Sequence, residues 1–255
     1  MISNLIEVII LSIIQGVSEF LPVSSSAHLI IVSTLYEFKS NSLIIDVSLH
    51  LGSLFAIMFY FKNDLLNLHN NQKLLSLIII GSLPITIIGY FIYTTELIYL
   101  FRDIKIIAWT TIIFGILLFI ADRNNFSKNI RSNLNLKTII YIGLFQTIAL
   151  IPGVSRAGIT ITAGRLLKFN RFDSSKISFL LSIPALAGAS FLSLKNILKE
   201  NFEFDYLVLV AIFFSFLFSF FTVKFFLDYI NKFSLSIFVI YRIIIGIILF
   251  IIIYN

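Results

Sequence analysis

Two short stretches of this chain carry polar side chains of the kinds that bind and cleave phosphate groups. The first holds a carboxylate, hydroxyls and an imidazole, in Glu19, Ser24, Ser25, Ser26 and His28. If a helix begins near Ser24, its first free N–H groups and the positive end of its dipole form an anion site. Ser25 and His28 are three residues apart and share one helix face, so we expect Glu19 to meet both across the turn.

The second stretch holds a glycine, a serine, an arginine and a threonine, in Gly153, Ser155, Arg156 and Thr160. Gly153 permits a close approach of the backbone to a ligand. The planar guanidinium of Arg156 offers a fork of donors that suits phosphate, and Thr160 lies one turn later on the same face. Together the two stretches predict phosphoryl transfer, in which positioning and charge stabilisation do most of the catalysis.

Each of these residues also has a purely structural explanation. Serines in apolar helices often serve close packing, which would account for Ser24 or Ser26. His28 would then be an interior histidine with its hydrogen bonds satisfied. Glu19 and Arg156 would form an ion pair that only holds parts of the fold together.

Other charged and polar residues also fall inside apolar segments. Asp46 and His50 are four residues apart on one helix face, where they either line the outer mouth of the site or form a pair at the membrane interface. Arg165 and Arg242 lie near the ends of their predicted helices. We therefore expect both arginines to snorkel towards the membrane surface.

The composition places these residues in a membrane protein. Hydrophobic residues make up 58% of the 255 residues and charged residues only 13%, whereas soluble domains carry about 25% charged residues. A soluble globular protein, a disordered chain and a nucleic-acid-binding module are thereby disfavoured. The net charge of +6 fits basic cytoplasmic loops. The absence of cysteine removes disulfides, thiolate metal sites and cysteine nucleophiles.

Six segments are long and apolar enough to span a membrane, which needs about 20 mostly apolar residues. These predicted spans are 43–61, 74–95, 106–121, 177–194, 206–223 and 235–254. The fold class predicted from them is an all-α polytopic membrane protein.

The two polar stretches interrupt two further apolar regions, 2–36 and 137–167. Pro22 and Pro152 each remove a backbone donor and push the preceding residue out of the helical conformation. A serine that follows offers an N-cap for a new helix. We interpret each region as a re-entrant pair, in which two helices and the break between them dip into the membrane and return to the same side.

Basic residues divide unevenly between the two sides that this topology defines. Loops 62–73, 122–137, 168–176 and 224–234 share one side with 11 lysines and arginines, against five on the other side, Lys39, Arg102, Lys105, Lys195 and Lys199. The richer side is predicted to be cytoplasmic. The re-entrant pairs then enter from opposite sides. This predicts one integral membrane domain, residues 1–255, built as an inverted repeat with halves of roughly 1–121 and 122–255 and its site at the repeat interface.

At the two breaks the sequence closely resembles the bacterial undecaprenyl-diphosphate phosphatases, the bacitracin-resistance family. Residues 15–28 match its first signature, and Gln146 with residues 151–160 matches the second. The resemblance continues at 46–53, 178–184 and 241–242 and covers nearly the whole chain in order. It implies six spans with two re-entrant pairs.

The resemblance also implies an activity and a location. The family hydrolyses a C55 isoprenyl diphosphate to the monophosphate and inorganic phosphate, which recycles the lipid carrier for peptidoglycan and confers resistance to bacitracin. This implies a multi-pass protein of the bacterial cytoplasmic membrane, surrounded by lipid, with its active site open to the outer face. A homodimer is left open, and no nucleic-acid partner is expected.

By motif match, Glu19, His28 and Arg156 have the family's essential roles, and Ser25 is a proposed nucleophile. The residues expected to bind the substrate are Gln15, Ser24, Ser26, Gly153, Ser155 and Thr160. Gln15 stands where many members have glutamate, and Ala157 replaces a common serine.

The mechanistic hypothesis has Arg156 and the helix N-termini hold the diphosphate. Ser25 or His28 attacks the terminal phosphorus, and Glu19 accepts a proton or orients the nucleophile. Mg²⁺ or Ca²⁺ could neutralise the diphosphate, although the chain has too few carboxylates there for an all-protein cage. The alternative is a lipid-phosphate transporter or flippase, which would need the same arginine and helix ends but not an acid/base pair.

Overall fold

The computed structural model of the chain describes residues 2–36, 43–68, 71–95, 97, 101, 103–197 and 205–254. These residues form helices and connecting turns, and none of them lies in a β-strand. Lys39, Arg102 and Lys199, which entered the predicted charge asymmetry, lie outside the described residues. The all-α class predicted from the sequence is confirmed for the described part of the chain.

The α-helices follow one another with short connections. Their bounds are α1 Ile2–Ser18, α2 Ser25–Tyr36, α3 Leu43–Tyr60, α4 Lys62–Leu68, α5 Gln72–Thr94, α6 Ile104–Asp122, α7 Ile130–Asn133, α8 Leu136–Thr147, α9 Arg156–Leu166, α10 Arg171–Ile197, α11 Tyr206–Ile230 and α12 Ser236–Tyr254. In the described residues, six helices are long and apolar enough to cross a membrane, namely α3, α5, α6, α10, α11 and α12. The six predicted spans are confirmed.

Both apolar regions predicted to be broken are interrupted at the expected places. Residues 19–24 separate α1 from α2, and residues 148–155 separate α8 from α9. We call these segments the first break and the second break. At 12 and 11 residues, α2 and α9 are each too short to cross a bilayer core of about 30 Å, since a helix rises about 1.5 Å per residue.

Left-handed backbone turns the chain at both breaks. Ser24 has φ 80°, Ser155 has φ 69° and Gly153 has φ 88°. Serine adopts this conformation at an energetic cost, which the surrounding structure must offset. The Ser155 hydroxyl helps, because it accepts a hydrogen bond from the Gly158 N–H at 3.1 Å and so caps α9.

The first helix of each broken pair packs on a span of the other half of the chain. Helix α1 packs on α11, and α8 packs on α5. The contacts are close, because a Cβ added at Gly16 would lie 2.9 Å from the Ser219 amide nitrogen, and one at Gly143 would lie 3.2 Å from the Gly81 Cα. The two halves are therefore interlocked.

A core cluster beneath the breaks fixes their position. Phe20 and Val23 of the first break and Ala157 of α9 are buried in one cluster with residues of α3, α10, α11 and α12. The Phe20 ring meets the Phe179 ring edge to face, with centroids 5.5 Å apart. Burial of large rings favours one arrangement of the two breaks.

The prediction that Arg165 and Arg242 snorkel is wrong. The two residues are 1% and 0% exposed. Arg165 pairs with Asp122 at 2.9 Å, and Arg242 donates to backbone carbonyls of neighbouring segments. Nearness to a helix end suggested access to the membrane surface, but other segments of the chain cover both positions and supply buried partners.

Candidate active site

The two breaks meet at the carboxylate of Glu19. Its Oε1 accepts a hydrogen bond from Arg156 Nη2 at 2.7 Å, and its Oε2 accepts one from Ser25 Oγ at 2.5 Å. Gln15, one turn earlier on α1, donates from Nε2 to Oε2 at 3.0 Å. The structure thus brings together residues 137 positions apart in the sequence.

Ser25 and Arg156 occupy equivalent positions. Each is the first residue of its helix, α2 or α9, and each follows a left-handed serine. The local sequences are Val23-Ser24-Ser25 and Val154-Ser155-Arg156. The left-handed turn places the next side chain beside Glu19 in both breaks, together with the free N–H groups of a helix start.

His50 belongs to the same cluster. Its Nδ1 lies 2.9 Å from Gln15 Nε2 and 3.9 Å from Glu19 Oε2. With Gln15 as the donor, Nδ1 accepts and the ring proton is on Nε2. The sequence left His50 either at the outer mouth of the site or in a pair with Asp46 at the membrane interface, because no local signal shows which break α3 packs against. Asp46, one turn earlier, is half-buried and is not among the residues that line the cavity of the site.

His28 lies away from this cluster. Its Nδ1 is 2.6 Å from the Ser24 carbonyl, and its Nε2 is 2.6 Å from the Tyr241 hydroxyl of α12. The imidazole also stacks on the Tyr241 ring with centroids 5.6 Å apart. Of the two side chains expected to meet Glu19, Ser25 does so, while His28 is held against α12.

The remaining residues predicted to bind substrate divide between two places. Ser24, Ser26 and Ser155 line the cavity beside Glu19 and Arg156. Thr160 is fully buried, and its hydroxyl donates to Arg156 O at 2.8 Å. The Ser178 hydroxyl lies 2.6 Å from Thr160 Oγ1 and can donate to it, which attaches α9 to α10. The Gly153 carbonyl accepts from Arg242 Nη2 at 2.9 Å.

Two polar atoms of the cluster have no protein partner in the described part of the chain, and one of them belongs to Arg156, which lines the cavity. Arg156 Nη1 and Gln15 Oε1 are buried, and neither has a hydrogen-bond partner among the described residues. A buried donor without a partner is costly, so native proteins seldom retain one without a use. A free guanidinium N–H beside two helix starts can bind an anionic oxygen.

The cavity at this cluster has a volume of about 520 Å³ and a polar and an apolar part. The polar part is formed by the breaks and His50. The apolar part lies between α5 and α10, where its lining includes Ile85, Tyr90, Leu186, Phe191 and Leu192, together with Leu150 of the second break. One ligand with an anionic head and a hydrocarbon chain could occupy both parts.

The described residues contain no group of three or more His, Cys, Asp or Glu side chains that could hold a metal ion. Glu19 supplies one carboxylate to the cavity, whereas Gln15 is fully buried and is not among the residues that line it. Mg²⁺ is commonly bound by one or two carboxylates together with substrate phosphates. This donor set fits a cation that arrives with a diphosphate.

Comparison with known proteins identifies relatives along almost the whole chain. The profile of the family described as "Bacitracin resistance protein BacA" matches residues 8–248. A protein of Pelagibacter ubique named undecaprenyl-diphosphatase is 72% identical over 256 residues and 100% of both chains. Proteins of the same name from Alteromonas mediterranea and Elusimicrobium minutum are 40% and 37% identical, each over 96% of this chain and 97% of the relative.

Proposed function

The chain belongs to the bacitracin resistance protein family, and we propose that it hydrolyses undecaprenyl diphosphate to undecaprenyl phosphate and inorganic phosphate. It is thus a membrane enzyme that regenerates the lipid carrier for peptidoglycan synthesis and confers resistance to bacitracin. The observation that carries this proposal is the Glu19 carboxylate, which bonds Ser25 and Arg156 at the polar end of an amphipathic cavity.

Ser25 is the nucleophile in the proposed reaction. Its hydroxyl already donates to Glu19 Oε2 at 2.5 Å and lines the cavity, as a serine activated by a general base must do. As the Ser25 Oγ–P bond forms, its proton passes to Glu19, and the P–O bond to undecaprenyl phosphate breaks. Water then hydrolyses the phosphoserine and releases inorganic phosphate.

Arg156 and the two helix starts stabilise the charge of the diphosphate. Nη2 of Arg156 holds Glu19, while Nη1 is free to donate to a phosphate oxygen. The first N–H groups of α2 and α9 add positive dipole ends. Since charge spreads over the phosphoryl oxygens in the transition state, donors fixed in advance lower the barrier.

His50 and His28 have different roles in this proposal. His50 is linked to Glu19 through Gln15, whose amide nitrogen donates to both side chains and so orients the carboxylate towards Ser25. His28 holds the start of α2 in place through the Ser24 carbonyl and Tyr241. Of the two nucleophiles that the sequence left open, the contacts favour Ser25.

A divalent cation, Mg²⁺ or Ca²⁺, would be held by Glu19 and the diphosphate oxygens. Its chemistry would be to neutralise charge on the departing phosphate. With the cation bound, Arg156 would still bind the diphosphate and Glu19 would still deprotonate Ser25.

The apolar part of the cavity, between α5 and α10, receives the isoprenyl chain. Its lining gives hydrocarbon a place beside the reacting phosphate. All the residues proposed to act belong to one chain, so the homodimer that the sequence left open is not needed for the chemistry.

Both broken pairs are proposed to be re-entrant and to form an inverted repeat. The matched left-handed serines and the reciprocal packing of α1 on α11 and α8 on α5 support this arrangement. We propose that the chain lies in the cytoplasmic membrane with the site open to the outer face, and the uneven distribution of basic residues supports this orientation.

The deciding experiment measures two products in one sample. Purified protein is reconstituted into vesicles with undecaprenyl diphosphate, and inorganic phosphate release and transbilayer movement of the lipid are followed together. We expect catalytic phosphate release. Movement of the intact lipid without phosphate release would instead favour the transporter, which needs Arg156 but no hydroxyl bonded to a carboxylate.

A further inference from the structure

Arg242 connects the two breaks to each other. It lies on α12, is 0% exposed and is absent from the lining of the cavity. Its Nη1 donates to the Pro22 carbonyl at 3.2 Å, and its Nη2 donates to the Gly153 carbonyl at 2.9 Å. One guanidinium therefore holds backbone groups of both breaks.

The same side chain also binds α6. Its Nε donates to the Thr111 carbonyl at 3.0 Å, and Nη2 lies 3.5 Å from the Thr110 carbonyl. Breaking a helix leaves carbonyls without intrahelical partners, and the planar fork of arginine can serve several at fixed angles. A lysine ammonium, as a compact point charge, cannot span them in the same way.

Two glycines leave room for this side chain. A Cβ added at Gly158 of α9 would lie 2.9 Å from Arg242 Nη1, and one added at Gly115 of α6 would lie 3.2 Å from Arg242 Cβ. Neither helix could approach Arg242 as closely with a larger residue. The absence of side chains at Gly115 and Gly158 therefore provides the space that the Arg242 side chain occupies.

The two carbonyls have the same spacing from the proposed reacting residues. Pro22 lies three residues before Ser25, and Gly153 lies three residues before Arg156. A shift of either carbonyl moves the helix start that follows it. Since a misplacement of about 1 Å can cost about 100-fold in rate, the distance between the breaks is critical to the chemistry.

We propose that Arg242 is a positioning residue that sets the separation of Ser25 and Arg156 by binding the Pro22 and Gly153 carbonyls at the same time. This inference rests on the proposed function, because its consequence is measured as turnover. It assigns Arg242 no contact with the substrate.

Arg165 provides a matched control. It is also a buried arginine, 1% exposed, but its partners are Asp122 and the carbonyls of Phe169 and Asn124. None of these partners belongs to the cluster around Glu19. Replacing Arg165 therefore measures the general effect of losing a buried arginine on stability, while the contacts of Arg242 with the two breaks stay intact.

The experiment compares Arg242→Lys with Arg165→Lys in purified full-length protein. Thermal midpoints are measured together with kcat and KM for phosphate release from undecaprenyl diphosphate. We expect both variants to lose thermal stability. Arg242→Lys should lose about 10- to 100-fold in kcat with KM changed less than about threefold, whereas Arg165→Lys should keep kcat within about twofold.

A double variant separates positioning from general destabilisation. If Arg242 positions Arg156, then Arg156→Lys should cost less in the Arg242→Lys background than in the native protein, since Arg156 is already misplaced there. Equal kcat in Arg242→Lys and Arg165→Lys, or effects at 242 and 156 that simply multiply, would overturn the proposal. If Arg242→Lys does not fold, Arg242→Gln, which keeps two donors on a planar group, replaces it in the same kcat comparisons and with the same criteria.

Native protein that releases no phosphate would instead overturn the proposed function. The two failures are therefore distinguishable.

Discussion

Glu19 is a buried carboxylate whose charge is offset by the residues it acts with. A charged side chain within a membrane costs about 2.5–3.5 kcal/mol on insertion scales. Arg156, Ser25 and Gln15 supply three hydrogen bonds to the two carboxylate oxygens. In the proposed mechanism, the contacts that stabilise this buried charge also prepare Ser25 for attack.

The chemical form of the trapped intermediate identifies the nucleophile. Substrate labelled in its terminal phosphate should leave an acid-stable phosphoserine at position 25, since phosphohistidine is hydrolysed in acid. The label should be absent from Ser25→Ala and present in His28→Gln. An acid-labile label that disappears in His28→Gln would show that His28 attacks.

The residues of the site were predictable where one break determined their position. Proline and serine signals placed Glu19, Ser25 and Arg156 at helix ends that could meet. The partners of His50 and His28 were not predictable, because they depend on how α3 packs on the first break and how α12 packs on α2. No local pattern encodes those contacts.

At the scale of the helices, the sequence predicted most accurately where the two broken pairs are interrupted. Pro22 and Pro152 predicted the interruptions, and the charge-free segments predicted the six spans. The left-handed serines and the burial of Arg165 and Arg242 were missed, because both depend on neighbouring segments. Carbonyls freed in one part of the chain are satisfied by an arginine more than 80 residues away.

The contact between α8 and α5 depends on a small residue at position 143. A methyl group there would lie 3.0 Å from the Gly81 carbonyl carbon, so Gly143→Ala forces the helices apart. We expect a loss of about 1–3 kcal/mol of stability, measured as a lower thermal midpoint. Gly188→Ala is the control, because an added Cβ at Gly188 meets nothing within 4 Å. Equal midpoints in the two variants would contradict the close packing.

At the scale of the whole molecule, one cavity joins the polar site at the breaks to an apolar part between α5 and α10, which we call the slot. The slot between α5 and α10 continues directly from Glu19 and Arg156. In the proposed binding mode, the lipid keeps its chain among apolar side chains while its diphosphate reaches the breaks. Composition predicted the membrane, but the packing of α5 beside α10 was needed to define the slot.

Filling the slot should discriminate between long and short substrates. Ala189 lines its wall on α10, and Ala189→Trp adds a large ring there. We expect KM for undecaprenyl diphosphate to rise about tenfold or more, with a smaller rise for farnesyl diphosphate, which has a shorter chain to place. Ala189→Ser is the control, because it substitutes the same position without adding a large side chain. Equal effects on both substrates would contradict the proposed chain path.

The absence of cysteine in the sequence allows the orientation to be measured directly. Ser127 lies in a loop predicted to be cytoplasmic, and Tyr206 lies at the opposite end of the spans. In intact cells, a membrane-impermeant maleimide should label Tyr206→Cys and leave Ser127→Cys unlabelled until the membrane is opened. The reverse pattern would contradict a site open to the outer face.

The central claim is that Glu19, Ser25 and Arg156, from two separate breaks, form one phosphatase site. Its most direct test is the kcat for phosphate release from undecaprenyl diphosphate in Glu19→Gln, Ser25→Ala and Arg156→Lys. The control is Asp64→Asn, which alters a half-buried ion pair with Lys176 outside the cavity lining. We predict losses of about 100-fold or more for the three site variants and near-native turnover for the control. Native turnover in folded Glu19→Gln protein would contradict the claim.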